Sequence, residues 1–215
     1  MTGSRLAAAA LLLTACAREP ARRPAPPPYR AASLASAGRV DGRVVMPEGS
    51  DPSLAVLWFD DLRAGKPIPL ARRYELDLEG GAFVPAVQAT LAGGALLVRD
   101  DDEARVYARF LLTDAGDSLL GVVQESGAGQ VVPTSRALAK AGLVRVTCDM
   151  HRSAQAWIRV FDQPYFAQAD SAGRFAIDSV PAGTWLLRAW HPVLGDRDQF
   201  VTVDSAGTVL VDLEY

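Results

Sequence analysis

The sequence has few of the residues that metal sites and many active sites require. Its 215 residues include two cysteines and two histidines, and no histidine precedes His151. The formal net charge is −3, so the chain lacks the strongly basic character of most nucleic-acid-binding proteins. We therefore expect no nucleic-acid partner.

The common catalytic motifs are also missing. The sequence contains no Gly-x-Ser-x-Gly and no phosphate-binding loop. Cys148 and His151 could be taken as a nucleophile and its base, but no third residue or oxyanion hole is indicated. We therefore predict that the protein is not an enzyme. The alternative, a hydrolase or lyase, would need a polar cleft with a perturbed acid, which a structure would reveal.

Four consecutive acids, Asp100, Asp101, Asp102 and Glu103, lack the spacing of a known calcium loop. An EF-hand needs acids at alternate positions, a central glycine and a distal glutamate. We expect these acids to form a solvated turn between strands.

Long hydrophobic runs are absent, and the apolar segment at residues 6–14 is short. It has about nine residues, whereas a membrane-spanning helix needs roughly twenty. The Leu13-Thr14-Ala15-Cys16 sequence after it resembles the lipobox of bacterial lipoproteins, in which the cysteine is acylated. Residues 1–16 are thus predicted to be a lipoprotein signal peptide with Cys16 as the lipid anchor. A plain secretory signal is the alternative.

The predicted anchor implies a location in the cell envelope, facing the periplasm. Ala17 follows the cysteine in place of Asp, which by resemblance to enteric lipoproteins favours the outer membrane. Residues 17–37 are rich in Pro, Ala and Arg. They are predicted to form a polyproline-type tether, which at about 3.1 Å per residue reaches roughly 60 Å. The expected partners are the membrane, through the lipid, and an unidentified envelope protein or ligand.

Beyond residue 37 the sequence predicts an all-β fold. Val144, Val146 and Cys148 alternate with Arg145 and Thr147, which is typical of a half-buried strand. Short runs of this kind are separated by turn residues. The sequence Asp-Ser-Ala-Gly occurs at 170–173, as a type I turn, and again at 204–207. We interpret both as hairpin turns.

Three sequence blocks resemble bacterial cupredoxin-like proteins of the plastocyanin type. AFVPAVQATLAGGALLVRDDD (82–102) and GLVRVTCDMH (142–151) resemble two strand-and-loop blocks of that family. WIRVFDQPYFAQADSAGRFAIDSVPAGTWLLRAWHP (157–192) resembles the carboxypeptidase regulatory-like, or transthyretin-like, segment that follows them. The resemblance implies a cupredoxin-like Greek-key β-sandwich at 38–162 and a small transthyretin-like β unit at 163–215. Because that unit is small, we expect it to pack on the first sandwich or to borrow a strand from residues 39–59.

The resemblance also implies a type 1 copper site, with two histidines, a cysteine thiolate and a weak axial methionine. Cys148 and His151 match two of these ligands, and they are the candidate metal ligands of this chain. Asp100 and Asp102 match the block before the first histidine, whose own position holds Val106. The methionine position holds Ala154. The site is therefore predicted to be a relic, with no cofactor expected, or copper if any.

Two other residues could be offered as replacement ligands. Met150 has a thioether, but its position in the family is apolar, which favours core packing. His191 belongs to the C-terminal unit, and nothing in the sequence brings it near Cys148. With Cys16 acylated, Cys148 has no internal disulfide partner, which leaves a free thiol, a metal ligand or an intermolecular bond.

The leading hypothesis is a non-enzymatic binding or adaptor module with a degenerate copper site. The alternative is a copper protein, for Cu(I) handling or electron transfer, that binds through Cys148 and His151. The aromatic residues of the last third are expected to lie mostly in the core, and any exposed edge would offer a platform for a ligand or protein. They are Trp157, Tyr165, Phe166, Trp185 and Trp190.

Overall fold

A computed structural model describes residues 27–34, 36–70, 72–100, 106–125, 130–134 and 136–215. These residues are built almost entirely from β-strands, which confirms the all-β prediction. None of their helices is long and apolar enough to cross a bilayer. The predicted signal peptide with Cys16, the tether up to residue 26 and the acids Asp101–Glu103 lie outside the described residues.

The described residues contain eighteen strands and three short 3₁₀ helices. The strands are β1 (Arg30–Ala31), β2 (Ala37–Val45), β3 (Val56–Phe59), β4 (Ala64–Gly65), β5 (Arg73–Glu79), β6 (Ala82–Val84), β7 (Val87–Leu91), β8 (Ala95–Asp100), β9 (Val106–Leu112), β10 (Ser118–Glu125), β11 (Gln130–Thr134), β12 (Gly142–Cys148), β13 (Gln155–Phe161), β14 (Phe166–Gln168), β15 (Arg174–Pro181), β16 (Gly183–His191), β17 (Gly195–Val203) and β18 (Thr208–Glu214). The 3₁₀ helices are Pro52–Leu54, Thr113–Ala115 and Arg136–Leu138.

The first sandwich is formed by β5 to β13. A five-stranded sheet, in the order β10-β9-β12-β13-β7, faces a four-stranded sheet in the order β11-β8-β5-β6. Leu76, Phe110, Val146 and Ile158 are among the residues buried between them. The chain passes from one sheet to the other at Pro85, between β6 and β7, where the missing N–H removes a ladder bond. This part of the chain is a β-sandwich, as the sequence predicted.

The second sandwich encloses the first one in the sequence. Its sheets have the orders β14-β3-β16-β17 and β15-β2-β18. Strand β2 pairs with β15 and β18, and β3 pairs with β14 and β16. The expected boundary, which placed residues 38–59 in the first sandwich, is therefore corrected: both N-terminal strands are borrowed by the C-terminal unit. They complete a core that includes Val40, Leu57, Tyr165 and Leu187.

The two Asp-Ser-Ala-Gly segments are turns, but they are not hairpins. The Gly173 N–H donates to the Asp170 carbonyl over 2.8 Å, as a type I turn requires. This turn joins β14 in one sheet to β15 in the other, and residues 204–207 join β17 to β18 in the same way. The hairpin interpretation is wrong because the flanking strands belong to opposite layers of the sandwich.

The two sandwiches pack face to face. Along β13, alternate residues point into the first sandwich, while Trp157, Arg159 and Phe161 point toward the second. Phe161 stacks on Phe166 with ring centroids 4.4 Å apart, and Trp157 meets Trp190 edge-on at 5.7 Å. The five-stranded sheet and the sheet containing β3 are therefore apolar on both faces. The five aromatic residues that were expected in the core are buried or half-buried, whereas Phe200 of β17 is 73% exposed.

Candidate functional site

The predicted ligand pair lies at one end of the first sandwich. Cys148 is the last residue of β12, and strand alternation turns it inward with Val144 and Val146, so that it is 4% exposed. The chain then leaves the sheet in a loop that brings His151 back over the thiol. Cys148 Sγ and His151 Nδ1 are 3.7 Å apart. The two candidate ligands therefore lie close together, and their role in binding a metal stays a prediction.

The distance between the two side chains fits two ligands of one metal ion. With bonds of about 2.3 Å to sulfur and about 2.0 Å to nitrogen, one ion can join atoms up to about 4.3 Å apart. The observed separation of 3.7 Å lies within that limit. In the described parts of the chain, however, no group of three or more His, Cys, Asp and Glu side chains could hold a metal. The pair fits half of a type 1 copper site and no more.

The two positions that the resemblance implied for the remaining ligands lie on β9 and in the loop after β12. Val106 begins β9, and β9 pairs with β12 so that Ala108 is opposite Cys148. Ala154 is buried at the end of the loop, and its N–H donates to the His151 carbonyl over 2.9 Å. Two of the four positions that the resemblance implied as ligands thus hold residues with hydrocarbon side chains, Val106 and Ala154.

Neither residue offered as a replacement ligand joins the pair. Met150 is 60% exposed, and the prediction that it packs in the core is wrong because strand alternation ends at Cys148. His191 is buried in the second sandwich, where its Nδ1 accepts the N–H groups of residues 193 and 194 at 3.2 Å. Its Nε2 therefore carries the proton and donates to the Asp51 carbonyl at 3.2 Å. His191 has a structural role.

Gly81 contacts the pair, and an exposed ion pair between Arg109 and Asp149 lies on the neighbouring strand and loop. Gly81, in the turn between β5 and β6, lies against the His151 ring, and a Cβ there would be 3.3 Å from its Cδ2. Asp149 accepts two hydrogen bonds from Arg109, at 2.6 Å and 2.9 Å. No local sequence signal marks these residues, because the contacts join separate strands.

Comparisons with known proteins give similarity in fold over less than half of the chain. No family model matches the sequence, and no curated protein matches it. Among solved structures, a reduced amicyanin mutant is 12% identical over 41% of this chain and 82% of its own, with a TM-score of 0.36. A purple cupredoxin from Nitrosopumilus maritimus is 10% identical over 41% of this chain and 99% of its own, with a TM-score of 0.34. Similarity at this level says nothing about what this chain binds.

Proposed function

We propose that this chain is a lipid-anchored, non-enzymatic binding or adaptor module of the cell envelope, with a degenerate type 1 copper site. The observation that carries the proposal is the ligand set at the end of the first sandwich. Cys148 and His151 are in place, while the two adjoining ligand positions hold Val106 and Ala154. Copper that cycles between oxidation states in a type 1 site needs a second imidazole, and a weak axial ligand tunes its potential.

Copper titration of the purified protein tests the loss of the site. We expect the full chain to develop no intense blue colour with Cu(II), because two ligands cannot enclose the ion. The double variant Val106→His with Ala154→Met restores the missing ligand types, and we expect it to turn blue and to bleach on reduction. A blue unmodified protein would contradict the proposal. A properly folded double variant that stays colourless would show that the scaffold is not that of a type 1 site.

The lipid anchor is tested independently of copper. Substituting Cys16 with Ser removes the residue that would be acylated, so the protein should shift from the membrane fraction to the soluble fraction. The matched control is Cys148→Ser, which removes a buried thiol and should leave the protein membrane-bound. If Cys16→Ser remains in the membrane fraction as the unmodified protein does, the predicted lipobox does not anchor the chain.

A second candidate function is Cu(I) handling, favoured by the 3.7 Å approach of Sγ to Nδ1. A buried thiolate and an imidazole are ligands suited to Cu(I). This function predicts that Cys148→Ser abolishes Cu(I) uptake in competition with a colorimetric chelator. Met150→Leu, which alters an exposed thioether in the same loop, should leave uptake unchanged. Equal uptake by Cys148→Ser and the unmodified protein would eliminate this candidate.

A further inference from the structure

A pocket of about 390 Å³ opens where the two sandwiches meet. Its walls come from the end of β3, the loop that follows, and the end of β13. They include two aromatic rings and four charged side chains, which are those of Trp58, Asp60, Arg63, Arg159, Phe161 and Asp162. Half of the lining residues lie on the packed strands β3, β12 and β13, so a large part of the pocket is preformed.

The acids in this pocket already have partners. Arg63 donates to both carboxylate oxygens of Asp162, at 2.7 Å and 2.8 Å. Asp60 forms an ion pair with Arg188 at 3.3 Å. The two arginines and two aspartates that line the pocket balance in charge. Both aspartates are paired with an arginine other than Arg159.

Arg159 is the arginine of this pocket whose guanidinium has no paired carboxylate among the described residues. Among the described residues it forms no hydrogen bond and no ion pair. Its guanidinium lies over the Trp58 ring, 4.5 Å from the centroid. Burial lowers the pKa of Arg159, and the more distant carboxylates of Asp114, Asp196 and Asp60 oppose that effect. The guanidinium of Arg159 is therefore a partly buried cation without a carboxylate partner, which leaves its N–H groups available to an anionic ligand.

The stacked arrangement leaves the edge of the guanidinium available. A planar guanidinium can stack on an aromatic ring with one face while its N–H groups bind a carboxylate in the plane. The rings of Trp58 and Phe161 offer apolar walls beside this edge. Because Asp60 and Asp162 also line the pocket, a ligand with one negative charge fits better than a dianion.

We propose that this pocket binds a carboxylate, with Arg159 as the binding cation and the two aromatic rings as the wall for the apolar part of the ligand. The inference rests on the binding role proposed above, for which it names a ligand class. Carboxylate binding depends neither on copper nor on the lipid anchor. The copper titration and the membrane fractionation can therefore fail while the binding experiment succeeds, and the binding experiment can fail while they succeed.

Sodium benzoate is the probe, because it combines one carboxylate with one aromatic ring. We expect saturable binding to the full chain, measured by calorimetry and by a change in tryptophan fluorescence. Benzamide has the same ring without the charge, and it should bind at least about tenfold more weakly, since hydrogen bonds between charged groups are roughly twice as strong as neutral ones. Arg159→Met should abolish binding. Arg109→Met, at an exposed arginine on the first sandwich, should bind benzoate as the unmodified protein does.

A second ligand distinguishes the possible sources of the carboxylate, and a second Arg159 variant is available if the first does not fold. N-acetylphenylalanine resembles the end of a peptide, so tighter binding than benzoate indicates a chain terminus, and weaker binding indicates a free small acid. If Arg159→Met does not fold, Arg159→Lys retains the charge and loses the planar fork, and it should bind benzoate several-fold more weakly. The proposal is overturned if neither acid binds saturably, if benzamide equals benzoate, if inorganic phosphate binds more tightly than benzoate, or if substituting Arg159 changes nothing.

Discussion

Truncating Phe161 to alanine tests whether the two sandwiches share one core. The ring is 6% exposed and lies at the contact between the sandwiches. It stacks on Phe166 at 4.4 Å, with an interplanar angle of 15°, and on Trp58 at 5.6 Å in a tilted arrangement. A buried Phe→Ala change costs about 3–5 kcal/mol, and aromatic pairs contribute about 0.5–1.5 kcal/mol beyond area burial. We expect Phe161→Ala to lower the free energy of unfolding by about 4 kcal/mol.

Urea unfolding, followed by tryptophan fluorescence and far-UV circular dichroism, measures this loss. For the unmodified protein the two signals should report one coincident transition, because the apolar layer at Phe161 couples both sandwiches. With an m-value of about 2–3 kcal/mol per molar urea, a loss of 4 kcal/mol moves the midpoint down by about 1.3–2 M.

Phe200→Ala is the matched control, because it makes the same truncation at a side chain that is 73% exposed on β17. It should change the free energy of unfolding by no more than about 0.5 kcal/mol. The reasoning is refuted if Phe161→Ala costs no more than Phe200→Ala. Two separate transitions in the unmodified protein, of which Phe161→Ala shifts only one, would also refute it.

Three more predictions concern single positions in the second sandwich or beside it. Gly65 has a φ of +137° and its Cβ would overlap the Tyr165 hydroxyl, so Gly65→Ala should lower the free energy of unfolding by at least about 2 kcal/mol. Gly116 has a φ of +70° and open space around it, so Gly116→Ala should lower the free energy of unfolding by only about 1 kcal/mol. An equal loss in the two variants would contradict the predicted clash between the added Cβ at position 65 and Tyr165. Burial raises the pKa of Tyr29 above its ordinary value of 10.0, so the stability it provides is present below pH 10 and is lost as pH rises above that value. Urea unfolding should therefore show that Tyr29→Phe loses less free energy of unfolding than the unmodified protein as pH rises above 10. An identical pH dependence in the two proteins would contradict this. His191→Leu leaves two N–H groups without their acceptor and should cost about 1–3 kcal/mol; a melting temperature equal to that of the unmodified protein would disprove it.

The sequence predicts local features of this fold better than its long-range pairing. The alternation of Val144, Val146 and Cys148 indicates both the strand and its buried face, because the side-chain period of a strand is a local property. Nothing local indicates that β2 pairs with β18, since that choice depends on packing between opposite ends of the chain. The boundary at residue 38 was misplaced for this reason, although the small size of the C-terminal unit did indicate that it could borrow a strand from residues 39–59.

The two candidate sites also differ in how far the sequence predicts them. The spacing of Cys148 and His151 places both in one loop, so their contact could be predicted from the sequence. Arg159 could not be recognised as a pocket residue, because an arginine in an alternating strand usually faces solvent. Its face of the sheet is covered only because a second sandwich packs there.

The enclosure of one sandwich by the other has a consequence for the newly made chain. Strands β2 and β3 emerge from the ribosome before the inner sandwich, yet their partners β14, β15, β16 and β18 are synthesised after it. The inner sandwich has all of its strands in one continuous stretch and can fold while synthesis proceeds. The early strands meanwhile have unpaired edges that could join another chain. A chaperone that covers them, or rapid delivery of the last residues, would therefore matter more for this protein than for one whose domains follow each other in sequence.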